Sequence, residues 1–501
     1  MNANDAILLA ITFPLIASPF IYLIARLIER RNPRIDTARW LALITLLVDG
    51  YFLYLAGNQY LQTHQDLLIS VGQISLRLDG ITLLLAVVAL GLGILVTIFS
   101  GPAVARDYGR EFYFALLTAM IGTIIGLGAA DDLFNLWVWF ECMAICSYIL
   151  VAFHHKEAGS LEAGIKYLTQ SALGSVLVLF GIALVFTGTG TLDLDEIRVL
   201  AQPTGILVAA GAMFIIGFGV KSALVPLHTW LPDAHSQAPS GISAMLSGVV
   251  IEAGLVALLR VLGALNAVTV SWGALLLGFA AINMLVGNLM ALRQVQVKRL
   301  LAYSSLSHMG YILLGIGVGM AFGTEYAAAG GFFHILTHAM MKGLAFLAAG
   351  AFLYCLHQAN GNHDSLVLDD LNGASRKYPL AAFAFSVAVL ALGGLPPLAG
   401  FMSKWQIFVG GFQTKDGLIM TLVIFAGLNS VLSLGYYAPI VNRLYRNTPA
   451  EIVENGKPVP FLMTVPLVLL TLGVVILGFW PSLVNWITIP AAQSLLMLFG
   501  G

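Results

Sequence analysis

About fourteen apolar runs, most close to twenty residues long, succeed one another along the chain, and this repetition constrains the fold more than any other feature. A helix of about twenty residues crosses roughly 30 Å of hydrocarbon. The runs lie near 6–26, 38–56, 80–100, 112–130, 132–153, 163–187, 206–227, 240–263, 272–292, 301–320, 328–355, 379–411, 418–442 and 461–482. They are continuous rather than alternating, which excludes a membrane barrel. The chain is 59% apolar and only 10% charged, whereas a soluble domain carries about 25% charged residues. The expected fold is therefore an all-α polytopic membrane protein, with a short apolar tail to Gly501 along the surface. The first run has its basic cluster after it rather than before it, which reads as a retained transmembrane helix and not a signal peptide.

Basic residues orient this map. Arg26, Arg30, Arg31, Arg34, Arg39, Arg106, Arg110, Lys156, Lys166, Arg293, Lys298, Arg299, Arg376, Lys377, Arg443, Arg446 and Lys457 fall in or beside odd-numbered loops, seventeen of the 24. Arg77, Arg198, Arg260 and Lys415 fall on the even side. Both termini are thus expected on the outer side of the membrane. Net charge is -1, so there is no electrostatic case for nucleic acid. Cys142, Cys146 and Cys355 read as small buried hydrophobes. No clustered Cys suggests an iron–sulfur centre, and no glycine-rich turn after a strand suggests a nucleotide fold. No metal site is expected, and any redox chemistry belongs to other chains.

Three lysines remain, Lys221, Lys342 and Lys404, all inside spans. Lys221 is followed by Pro226 and Pro232, which remove backbone donors and interrupt the helix. In "GGLPPLAGFMSK", Pro396 and Pro397 again join a break to a buried lysine, Lys404. Broken helices at matching positions of two halves point to an inverted-repeat transporter with its ion site at the breaks. Free carbonyls and water at the first break would give the Lys221 ammonium a polar neighbourhood.

The acids and histidines extend this pattern. Glu141 lies midway along span five, where a charged group costs on the order of 2.5–3.5 kcal/mol. A carboxylate there whose charge depends on a facing Lys221 is a natural proton switch. A static salt bridge is the plainer reading, yet buried ion pairs add little stability over apolar packing. Span eight buries Glu252. In "GGFFHILTHAMMKGLAFL", His334, His338 and Lys342 recur at i, i+4 and i+8 on one helix face. Ser304, Ser305, Ser307 and His308 on span ten are placed to hold water, and His228 and His235 lie just past the first break. Glu141, Lys221, Glu252, His334, His338, Lys342 and Lys404 together form a candidate proton relay at one depth.

Four stretches in order, "VKSALVPLHTWLPDAHSQAPSGISAML", "VKRLLAYSSLSHMGYILLG", "FFHILTHAMMKGLAFLAAG" and "LPPLAGFMSKW", resemble the antiporter-like subunits shared by respiratory complex I, multisubunit cation/proton antiporters and membrane-bound hydrogenases. The resemblance spans roughly residues 75 to 445. It implies fourteen helices with two inverted five-helix repeats, in which helices seven and twelve are discontinuous. On that basis residues 1–110 hold helices one to three, 111–264 the first repeat, 265–445 the second, and 446–501 the last helix and tail. The resemblance pairs Glu141 with Lys221, makes His334, His338 and Lys342 the span-eleven relay, and makes Lys404 the terminal lysine. Where a lysine is common in span eight, this chain has Glu252, which would pair with Lys221 or Lys342, or favour cation binding over simple proton hopping.

The function implied is a proton-translocating subunit of a redox-driven pump of the NADH:quinone or hydrogenase kind, in a bacterial or archaeal cytoplasmic membrane. Iron–sulfur clusters and flavin are expected on partner subunits, and homologous antiporter-like subunits and lipids are the expected neighbours. The alternative is a subunit of a sodium/proton antiporter with no redox partner. A self-sufficient solute transporter predicts uptake by this chain alone in liposomes. A purely structural subunit predicts undiminished pumping when Lys221 or Glu141 becomes alanine.

Overall fold

In hydrocarbon the backbone can satisfy its polar groups only within a helix or a closed barrel, so the long apolar runs become long helices. The structure, a computed structural model, describes residues 3–31, 36–72, 74–105, 107–268, 271–361 and 364–500. Arg34 and Arg106, counted above among the loop bases, lie outside the described residues. In chain order the main helices are α1 (Ala3–Arg31), α2 (Thr37–Thr63), α3 (Gly80–Ala103), α4 (Arg110–Ala129), α5 (Leu133–Val151), α6 (Ala158–Thr189), α7 (Gly205–Lys221) and α8 (Trp230–Gln237). They continue as α9 (Ser240–Ala264), α10 (Trp272–Ala291), α11 (Val297–Phe322), α12 (Glu325–Leu356), α13 (Pro379–Gly393), α14 (Ala399–Gln413), α15 (Gly417–Leu444), α16 (Phe461–Phe479) and α17 (Asn485–Leu498). Among the described residues, twelve helices are long and apolar enough to cross a membrane.

The two remaining apolar helices, α7 and α13, are short because the chain breaks after each. The run read as 206–227 leaves the helix at Lys221, five residues before Pro226. Proline disfavours helical geometry in the residue before it and cannot donate its own backbone bond, so the helix stops upstream. The second run breaks at Gly394, which has φ 78°, and resumes at Ala399. The chain folds back tightly there: a Cβ at Gly400 would lie 2.0 Å from the Ala391 carbonyl oxygen. A Cβ at Gly478 on α16 would lie 2.0 Å from the Pro397 carbonyl oxygen. Only glycine fits either position. Within α9, residues Leu246–Val250 form a π-helical turn immediately before Glu252.

One expectation needs correction. The C-terminal tail does not lie along the surface. It forms α17, whose Ile487, Ala491 and Leu495 are fully buried, and Ser494 Oγ accepts a bond from the Gly80 amide at 3.1 Å. Small residues on one face of α17 allow that close approach. The loop between α2 and α3 carries a short hairpin. β1 (Leu67–Val71) pairs antiparallel with β2 (Ile74–Leu78), Leu67 opposite Leu78. Period-two alternation across "LLISVGQISLRL" is the signal that was available.

Candidate proton-relay site

The first break presents Lys221 at the end of α7. Its ammonium donates to Tyr167 Oη at 2.9 Å and Ser171 Oγ at 3.2 Å, both from α6. It also lies 4.6 Å from the Tyr167 ring centroid and 5.6 Å from that of Phe140, within cation–π range. The Tyr167 ring stacks on Trp230 at 3.9 Å, and Trp230 Nε1 donates to the Val220 carbonyl at 2.7 Å. The first residue of α8 therefore clamps the residue that Lys221 touches.

Glu141 is not in ion-pair contact with Lys221. Its Oε1 is buried with no hydrogen-bond partner among the described residues. Phe140, the neighbour of Glu141, lies beneath the Lys221 ammonium. Nor do freed carbonyls at the break serve the ammonium, because Asn283 from α10 occupies the break. Its Oδ1 accepts from the Val225 amide at 2.9 Å, and its Nδ2 donates to the Ala223 carbonyl at 3.2 Å.

Glu252 pairs with neither Lys221 nor Lys342. Its Oε1 meets His338 Nδ1 at 2.7 Å, and both side chains are fully buried. The reason lies in helical phase. A Cβ on Gly254 would sit 3.0 Å from Lys221 Cβ, so position 254 faces Lys221. Position 252 points about 200° away from it on α9, towards α12. Lys342, one turn beyond His338, donates to the Leu301 carbonyl at 2.7 Å and to Ser304 Oγ. Ser304 in turn bonds Tyr437 Oη at 2.5 Å.

From Glu252 further polar groups follow, with a stacked ring rather than a hydrogen bond after His338, whose Nε2 has no partner among the described residues. The His338 ring lies 5.3 Å from that of His308, and His308 Nδ1 meets His334 Nε2 at 3.0 Å. His334 Nδ1 meets Ser403 Oγ at 2.8 Å. Ser403 precedes Lys404, whose ammonium donates to the Leu392 carbonyl and to Ser430 Oγ, each at 2.9 Å. At this second break a carbonyl from the last turn of α13 does receive the lysine. Ser305 bonds Ser247 at 2.7 Å, and Ser307 accepts from Asn429 at 3.2 Å. His308, read from the sequence as relay support, lies between the rings of His338 and His334. Ser403, Tyr167 and Tyr311, whose ring lies 4.4 Å from the Lys404 ammonium, touch these groups and were not singled out in the sequence. His228 stands apart at the first break, its Nδ1 buried without a partner among the described residues. Pro226, Pro232, Pro396 and Pro397 lie in or beside the breaks.

Three bases counted as loop or surface charges are not free in solvent. Arg260, on α9, is 2% exposed and binds Asp79 through both ends of its guanidinium at 2.6 and 2.7 Å. Lys298 is buried and donates to the Ala238 carbonyl. Arg77 on β2 holds Asp131 at 3.0 Å and also contacts Asp195. Burial pushes the Asp131 carboxyl, in the loop before α5, up to about 6 against the pull of Arg77. Among the described residues, no group of three His, Cys, Asp or Glu is arranged to hold a metal ion.

Comparison with known proteins bears on this arrangement. The family described as NADH:quinone oxidoreductase/Mrp antiporter, TM, matches residues 130–430. The F(420)H(2) dehydrogenase subunit N of Methanosarcina mazei is 36% identical over 418 residues, covering 81% of this chain and 82% of that one. The NADH-quinone oxidoreductase subunit N of Desulforudis audaxviator is 32% identical over 426 residues, covering 81% and 82%. A chain of the membrane-bound sulfane sulfur reductase, an archaeal respiratory membrane complex, superposes with a TM-score of 0.86 at 27% identity, covering 98% of both chains.

Proposed function

Since the chain belongs to the NADH:quinone oxidoreductase/Mrp antiporter membrane family, we propose that it is a proton-translocating subunit of a redox-driven ion-pumping membrane complex. The observation that carries this reading is the buried line from Glu252 through His338, His308, His334 and Ser403 to Lys404. Isolated charges are too costly to keep at such depth, whereas neighbouring sites that each gain and lose a proton conduct. The chain is an integral membrane protein. It crosses the membrane fourteen times on this reading, α7 with α8 and α13 with α14 forming the discontinuous spans seven and twelve.

The domain division follows from the same reading. Residues 1–110 hold the first three helices, 111–264 and 265–445 the two inverted five-helix repeats, and 446–501 the last helix and tail. A break with a buried lysine in each half supports it. Lys221 responds to Glu141 through space, and Lys342 and Lys404 load and unload the histidine line. Redox centres, iron–sulfur clusters and flavin among them, reside on partner subunits, beside homologous antiporter-like chains. The membrane is the bacterial or archaeal cytoplasmic one, with both chain termini outside.

The deciding experiment is purification of the intact complex with its neighbours, scoring iron–sulfur absorbance and donor-driven acidification of vesicles. Coloured preparations whose pumping falls in Glu141→Gln are expected. A colourless complex exchanging sodium for protons would instead establish the antiporter reading, which the family's breadth also accommodates.

A further inference from the structure

His235 is fully buried, and neither ring nitrogen has a hydrogen-bond partner among the described residues. Buried polar side chains nearly always find a partner in protein or ordered water, so this ring needs an explanation. It sits on α8, two residues after Asp233. Residues two apart on a helix face nearly opposite ways, and these two do. Asp233 reaches the accessible end of the bundle, where it binds Arg299 at 2.7 Å and Lys166 at 3.1 Å. His235 turns inward and stacks on Phe346 at 4.7 Å.

Phe346 is one turn beyond Lys342 on α12, so the His235 ring lies against the stretch of α12 that carries Lys342. Lys298 approaches the C-terminal end of α8 from α11. Its ammonium bonds the carbonyl of Ala238, the residue that ends α8. Leu301, whose carbonyl receives Lys342, is one turn after Lys298 on α11. The imidazole thus lies against the helix that carries one buried ammonium, on a short helix whose end binds a second, and two residues from the part-exposed acid Asp233.

We infer that His235 is a proton-exchanging residue of an access branch, flanked by Lys298, which joins Lys342 to the end of the bundle marked by Asp233, Arg299 and Lys166. Ordered water on the two ring nitrogens would complete the branch. A proton passes from water to one nitrogen while the other releases its own towards Lys342, so the ring returns to a neutral state without net chemistry. This inference rests on the relay reading above.

The test uses the assembled complex in vesicles, with donor-driven acidification measured per electron transferred. His235→Phe keeps the ring stacked on Phe346 and removes both nitrogens. Its pumping is expected to fall roughly tenfold or more, within what a positioned acid–base group contributes. Pumping by His235→Ala should recover with added imidazole in a saturable way, which a merely structural ring would not give. If His235→Phe does not assemble, His235→Gln replaces it under the same criteria. Wild-type pumping in the ring variant beside impaired Glu141→Gln overturns the branch alone. A slow variant that imidazole does not rescue also overturns it. Wild-type pumping in both variants overturns the relay reading itself.

Discussion

Glu252 on α9 and His338 on α12 face each other at 2.7 Å with no exposed surface on either side chain. A carboxylate in this position is held by one imidazole, and its second oxygen has no partner among the described residues. The pair is one of several bonds between α9 and the helices that follow it, beside Ser247–Ser305.

Replacing Glu252 by Lys should damage the complex. An ammonium would face His338 with Lys342 one turn away. Breaking a buried pair in this way costs about 3–5 kcal/mol. Glu252→Gln keeps the shape and one acceptor, so it should assemble but pump poorly. Thermal midpoint and vesicle acidification for both variants check this, and a stable, fully active Glu252→Lys would contradict it.

Tyr167→Phe removes the hydroxyl that accepts from Lys221 while keeping the stack on Trp230. A buried ammonium that loses one of its two hydrogen-bond partners is destabilised by about 1–3 kcal/mol. The expected outcome is a lowered thermal midpoint together with slower pumping. Ser171→Ala should act in the same direction and more weakly, since its bond is longer.

Ser403→Ala cuts the link between His334 and the turn carrying Lys404 without touching a charge. Pumping should fall while assembly and midpoint stay close to wild type, because a hydroxyl-to-hydrogen change leaves little cavity. Lys404→Ala should reduce pumping further with the complex still assembled. Equal pumping in Ser403→Ala and wild type would remove that serine from the path.

Arg260 and Asp79 test stability rather than transport. Arg260→Ala leaves the buried Asp79 carboxylate without its cation, held among the described residues only by the Thr82 amide and hydroxyl, at a cost of about 3–5 kcal/mol. The double change Arg260→Met with Asp79→Leu should recover most of that loss, as apolar replacement of buried ion pairs often does. Complex yield and thermal midpoint are the readouts.

The long helices were legible because apolar length alone fixes them. So was the stripe of His334, His338 and Lys342, since i, i+4 and i+8 share a face in any α-helix. Partner choice was not. Whether Glu252 meets Lys221 or His338 depends on how α9 is rotated, and a π-turn resets that rotation locally. Lys298 and Arg260 looked like loop charges because position near a run's end does not say whether a neighbouring helix covers it. Ser403 is an ordinary serine until α14 brings it against His334.

The π-turn at Leu246–Val250 therefore carries a consequence of its own. It is a dial set by residue count rather than residue type. Each residue turns an α-helix by about 100°, so deleting one within this turn would swing Glu252 off His338 while every side chain remained native. A Val249 deletion, followed by vesicle acidification, would show transport lost through phase alone. In this chain the number of residues between two contacts is itself part of the wiring.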